Sequence, residues 1–221
     1  MPPAAVAHLV LVRRMRSGLV PNVGLLMIAL ATAEPAPLTD PPYLMPITAY
    51  RPYEESVQRL LGNKWGYGTM IYSGGVTSEN DFAVAVWGAD DKPKTLTLLR
   101  FAPENDHRQA KAKSEINVPI DSEFVEAIEK AWCALLLKTR YPPKIPIYAD
   151  GWTAEFSCMC TGGPMYGTGC PAAGFAKELM DFGFELKDYC TAKQVERKEK
   201  RDSLIPRLRD FTARVTQSHL Y

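Results

Sequence analysis

The stretch DFAVAVWGADDKPKTLTLLRF, residues 81–101, decides the fold class that this sequence predicts. Two runs of alternating side chains, 81–87 and 94–101, flank the turn-forming sequence Asp-Asp-Lys-Pro at 90–93. In the first run, Phe82, Val84 and Val86 share a face. Such alternation is typical of a strand with one face buried. Because so short a connection can join only antiparallel neighbours, the stretch predicts a β-hairpin.

Flanking segments extend the pattern. An aromatic-rich run over 65–72 predicts a preceding strand, and a fourth strand over 152–160 places five side chains on one face: Trp152, Ala154, Phe156, Cys158 and Cys160. Apolar residues at helical spacing predict a long helix after Asp121 and shorter helices over 53–61 and 172–182. The polar run 103–114 and the glycine-rich run after residue 160 are expected to be loops, and 184–189 a short strand or irregular.

Strands that follow one another without crossover helices are typical of an α+β fold. We therefore expect an antiparallel sheet of about four strands with helices packed on one face. No glycine-rich nucleotide-binding fingerprint follows a strand, which disfavours a doubly wound fold. The single domain is expected to span 53–190, after a proline-rich extended lead-in over 34–52 and before a charged helical tail over 191–221.

The first 33 residues have the layout of a secretory signal peptide. Basic residues at 13–16 precede an apolar run over 23–31 that is too short to span a bilayer, and Ala-Thr-Ala follows at 31–33. This order predicts cleavage after residue 33 and a periplasmic or secreted protein, with Met15 as an alternative start. A membrane anchor and a poorly folded tail are the alternative interpretations.

Net charge limits the partners of the mature chain. Of the 26 Lys and Arg side chains, three lie in residues 1–33, which hold no Asp or Glu, so 23 would remain against 25 acidic ones, a net charge of −2. A balance this close to neutral argues against a nucleic-acid binder. No stable membrane span is expected after cleavage, and the oligomeric state stays open.

Three of the five cysteines lie in CMCTGGPMYGTGC, residues 158–170. In an exported protein cysteines usually pair. The preferred pairing is Cys160 with Cys170, closing a loop that would contribute roughly 3 kcal/mol, with one further bond among Cys133, Cys158 and Cys190. Free core thiols are one alternative. A metal site built from the three clustered thiolates is another, disfavoured because the spacing is not that of a zinc knuckle and no histidine lies nearby.

No catalytic residue and no cofactor can be named from the sequence. His107 lies in a polar segment, His219 lies two residues from the C-terminus, and no Gly-x-Ser-x-Gly motif is present. Asp150 precedes the fourth predicted strand and Glu155 lies within it, but their spacing does not select them as an acid/base pair. The favoured hypothesis is an exported non-catalytic α+β module that binds a protein or a cell-envelope component. The alternative is an exported hydrolase that uses carboxylates or His107.

Overall fold

The computed structural model describes residues 44–46, 52–62, 64, 66–74, 81–89, 92–104, 109–140, 152–169 and 173–218. The expected signal peptide and most of the proline-rich lead-in lie outside these residues, so those expectations remain predictions. All of the described residues belong to one compact unit.

Six strands form one antiparallel sheet: β1 (Gly68–Ser73), β2 (Phe82–Trp87), β3 (Lys94–Pro103), β4 (Ala110–Ile120), β5 (Thr153–Cys160) and β6 (Gly163–Gly169). Their order is β4-β3-β2-β1-β5-β6. The predicted hairpin is present as β2 and β3, in which Val84 lies opposite Leu98. The antiparallel α+β class is confirmed, with six strands rather than about four.

Two strands occupy segments that the sequence led us to expect as loops. Residues 110–114 belong to β4, an edge strand that exposes Lys111 and Lys113, and charged side chains of this kind discourage pairing with another chain. The glycine-rich segment forms β6, and glycine at position 167 lets neighbouring side chains approach its backbone closely. A Cβ on Gly167 would lie 2.9 Å from the Cβ of Leu44 and 3.1 Å from Leu136.

The helices are α1 (Pro52–Leu61), α2 (Ser122–Leu136), α3 (Gly174–Thr191) and α4 (Gln194–Gln217). Asp121 caps α2 by accepting a hydrogen bond from the N–H of Phe124 at 3.1 Å. Helix α3 continues well beyond the predicted 172–182 and includes 184–189, which is therefore helical rather than extended.

The main core lies on the face of the sheet that contacts α2 and α3, and α4 packs on those two helices. Met70 of β1 reaches so far into α3 that a Cβ on Gly183 would lie 2.2 Å from its sulfur. The opposite face is covered by α1, whose Val57 and Leu61 pack against Ile71 and other apolar side chains of the sheet. The expectation of helices on one face alone was therefore wrong.

Helix α4 is integrated into the fold rather than lying beside it. It buries five side chains: Leu204, Ile205, Leu208, Phe211 and Val215. Its arginines reach carboxylates on the helices beneath: Arg201 lies 2.7 Å from Asp121 and 2.6 Å from Glu123, and Arg207 lies 2.6 Å from Glu185. Apolar burial and ion pairs thus fasten the predicted tail to α2 and α3.

Candidate functional site

Three cysteines meet where α2 packs against β5. Cys158 and Cys160 lie on the buried face of β5, as the alternation predicted, and Cys133 lies on the side of α2 that faces them. Cys133 and Cys160 form a disulfide with their Cα atoms 5.6 Å apart, a normal separation for such a bond. The disulfide ties the long helix directly to the sheet.

The predicted partner of Cys160 was therefore wrong. Cys160 pairs with Cys133, not with Cys170, which lies outside the described residues. Within the part of the chain that the structure describes, Cys158 and Cys190 are both free and buried, so the expected second bond does not join either of them to Cys133. The segment after Cys160 forms β6, which pairs with β5 in a hairpin. The disulfide joins β5 to α2 and does not close the glycine-rich turn.

Cys158 is a third sulfur beside this disulfide. Its Sγ lies 3.5 Å from the Sγ of Cys133 and 3.6 Å from the carbonyl oxygen of Gly66, and only 3 % of the residue is exposed. Burial raises the pKa of the Cys158 thiol to about 12, and the nearby charge of Glu129 acts in the same direction. Cys158 is therefore a protonated thiol at neutral pH.

The cluster resembles a metal site in composition but not in oxidation state. All three Sγ atoms lie within 4.8 Å of one another. Thiolates are the form of cysteine that binds metal, and two of these sulfurs are joined as a disulfide. The oxidised cluster thus offers a single thiol. The sequence had suggested Cys170 as the third cysteine beside Cys158 and Cys160. The position of Cys133 depends on how α2 packs against β5, and residue spacing alone does not show that packing.

Cys190 is separate in character. It lies on α3, and burial raises the pKa of its thiol to about 12, while the charge of Arg197 opposes that rise. Arg197 also donates to the carbonyl oxygen of Cys190 at 3.1 Å. These contacts identify it as a core thiol beneath the start of α4.

The acid/base candidates are not brought together by the described residues. His107, His219 and Asp150 lie outside them, so their roles stay predictions. Glu155 lies on the face of β5 opposite the cysteines, because side chains alternate along a strand. The pairing of Asp150 with Glu155 therefore stays a prediction, because Asp150 lies outside the described residues.

Sequence analysis missed a buried carboxylate at the start of β2. Asp81 is 2 % exposed and accepts hydrogen bonds from the Tyr53 hydroxyl at 2.7 Å and the Gly74 N–H at 2.8 Å. Burial and the charge of Asp81 both raise the pKa of Tyr72. Because Asp81 joins α1, the end of β1 and the start of β2, its role is structural.

The β5–β6 hairpin carries an apolar patch on its outward face, which we call the hairpin patch: Met159, Pro164 and Tyr166. Met159 lies opposite Pro164, and Tyr166 lies opposite Ser157, so the three side chains are neighbours on one face. Met159 is 40 % exposed and Tyr166 39 % exposed, and Pro164 is also exposed. Both large side chains are thus accessible despite their apolar character.

Comparison with known protein families, characterised protein sequences and solved structures finds no match to this chain. Among the helices in the described residues, none is long and apolar enough to cross a membrane. A functional interpretation therefore depends on the cysteine cluster and the hairpin patch.

Proposed function

We propose that this chain is an exported, non-catalytic α+β module that binds a protein partner of the cell envelope through the hairpin patch. The observation that carries the proposal is the exposure of Met159 and Tyr166 side by side on a hairpin that is held in place by strand pairing. Tyr and Met are enriched at protein interfaces, and an unbranched Met side chain adapts readily to a partner surface.

The disulfide supports the exported part of the proposal. Disulfides persist in oxidising compartments and are rare in reducing ones, and the Cys133–Cys160 bond ties two elements of the main core together. The basic, apolar and small-residue order of residues 13–33 points the same way.

Crosslinking in the producing cells tests the binding surface. A photoreactive residue at position 166 should capture a discrete protein, and the capture should fall at least tenfold when Met159 is also replaced by serine. The matched control places the photoreactive residue at Val195, an apolar residue of α4 that is 78 % exposed. Equal capture from positions 166 and 195, or an unchanged yield in the Met159→Ser background, would contradict the assignment.

Export and the absence of catalysis need their own measurements. N-terminal sequencing of the protein recovered outside the cytoplasm should begin at Glu34, and a mature N-terminus at Met1 or Met15 would contradict export by cleavage. Turnover of any substrate in a panel of esters, peptides and glycans, lost on replacement of His107, would instead establish the hydrolase.

A further inference from the structure

The cysteine cluster contains one more sulfur than its disulfide needs. We infer that it is a thiol–disulfide exchange site, in which Cys133 alternates between Cys160 and Cys158 as its partner and small thiols of the glutathione class are the reacting molecules. This inference rests on the geometry of the cluster and goes beyond the binding function proposed above.

The geometry permits both pairings with little rearrangement. The Sγ atoms of Cys133 and Cys158 lie 3.5 Å apart, and a disulfide needs about 2.05 Å, so the two atoms have to approach by roughly 1.5 Å. Cys158 and Cys160 lie on the same face of β5, two residues apart, and both sulfurs therefore point toward Cys133. A bond between Cys158 and Cys160 themselves is disfavoured, because parallel side chains two residues apart on a strand lie about 6.6–6.8 Å apart at Cα, at the limit of the bond.

Cys133 is the most accessible of the three clustered cysteines. This residue is partly exposed, whereas Cys158 is 3 % and Cys160 6 % exposed. An incoming thiolate therefore attacks the Cys133 sulfur, and the bond between Cys133 and Cys160 breaks with the electron pair leaving on Cys160. The product is a mixed disulfide at Cys133 and a Cys160 thiolate.

Cys158 then resolves the mixed disulfide. The Cys160 thiolate takes the proton of the Cys158 thiol, directly or through water. The Cys158 sulfur attacks Cys133, and the small thiol leaves as the thiolate that entered. The net change moves one bond from Cys160 to Cys158 and one proton from Cys158 to Cys160, with no net oxidation. Thiolate attack on a disulfide sulfur through a mixed intermediate is the general route of such exchange.

An external thiol is needed because the resting cluster is not aligned for direct exchange. All three sulfurs lie within 4.8 Å of one another. For direct exchange, the attacking sulfur of Cys158, the sulfur of Cys133 and the leaving sulfur of Cys160 must lie on one line. The sulfurs of Cys158 and Cys160 would then be more than 4.8 Å apart, which they are not. The third sulfur thus lies beside the bond, and Cys133 must first be released from Cys160 to turn toward Cys158.

Disulfide mapping of the full-length wild-type protein tests the inference directly. The protein is incubated with glutathione, quenched with acid, alkylated with N-ethylmaleimide and digested without reduction. A minor population, on the order of 1 % or more, should carry a Cys133–Cys158 bond with Cys160 alkylated, and it should be at least tenfold lower without glutathione. A single pairing, Cys133 with Cys160, after prolonged incubation would overturn the proposal.

Replacement of one strand cysteine supplies the second measurement. Cys160→Ser, incubated with oxidised glutathione as the electron acceptor, should lose the free thiols of Cys133 and Cys158 together and yield their cross-linked peptide. Cys190→Ser is the matched control and should keep the wild-type pairing. Free thiols at both positions, or a bond from Cys133 to Cys170, would contradict the exchange site, and the wild-type mapping decides the question if Cys160→Ser does not fold.

Discussion

Replacement of Cys133 by serine should destabilise the oxidised protein because it removes the disulfide to Cys160. The disulfide joins residues 27 positions apart, and the chain-entropy relation for a loop of this size gives about 3.5 kcal/mol. For a domain of this size, each kcal/mol corresponds to about 2–4 °C in Tm, so the expected decrease is roughly 7–14 °C. Cys158→Ser leaves the bond intact and should shift Tm by much less.

Thermal unfolding followed by circular dichroism, with and without a strong reductant, measures this effect. The difference between wild type and Cys133→Ser should be largest without reductant and should nearly vanish with it, because reduction removes the cross-link from the wild type as well. An equal difference in both conditions would assign the loss to packing at position 133 and refute the cross-link argument. The sequence alone had placed this sensitivity at Cys170, and the observed pairing moves it to Cys133.

Three further predictions concern the helices. Phe211→Ala should cost about 3–5 kcal/mol in urea unfolding because the ring is fully buried, whereas Val195→Ala, at an exposed site on the same helix, should stay within about 0.5 kcal/mol. Gly183→Ala should destabilise by about 1 kcal/mol in the same assay, since overpacking against a buried methionine outweighs the helix propensity of alanine. The hydrogen bond from Arg201, together with a smaller contribution from the N–H of Phe124, lowers the pKa of Asp121 from 3.8 to about 2, so the stabilisation is present above pH 3.8 and is lost as pH falls through 2. In an NMR titration, Arg201→Gln should return this pKa toward 3.8, and an unchanged pKa would contradict the assignment.

The elements that the sequence predicted well are those whose pattern reflects a single buried face. Alternation located β2, β3 and β5, and the apolar stripe together with Asp121 located α2. In each case, local side-chain order and the packed environment agree, which is why a pattern read from one segment was sufficient.

The two missed strands show where such reading fails. Strand β4 lies at the sheet edge and faces solvent over much of its length, so its residues are polar and resemble a loop. Strand β6 contains Gly163, Gly167 and Gly169, which are turn residues by propensity, yet Gly167 is needed where Leu44 and Leu136 approach the backbone. The requirement for glycine at position 167 thus comes from residues that are distant in sequence, which a local pattern does not show.

The cysteine cluster was only half predictable for the same reason. Alternation placed Cys158 and Cys160 on one buried face, and this is confirmed. The choice of Cys133 as partner depends on how α2 lies across β5, a tertiary relation that neither spacing nor composition encodes. The hairpin patch could not be predicted, because the segment that forms β6 was expected to be a loop.

The order of the strands divides the sheet into two parts with different folding demands. Strands β1 to β4 pair with their neighbours in sequence, and β5 pairs with β6 across a tight turn, so both parts can form from local contacts. They meet only along β1 and β5, where Met70 lies opposite Phe156 after a long excursion of the chain through α2. Closing so long a loop is slow. We therefore expect the hydrogen bonds between β1 and β5 to form last when the sheet folds. During refolding, the amide protons of these two strands that bond each other should be the last in the sheet to gain protection from hydrogen exchange.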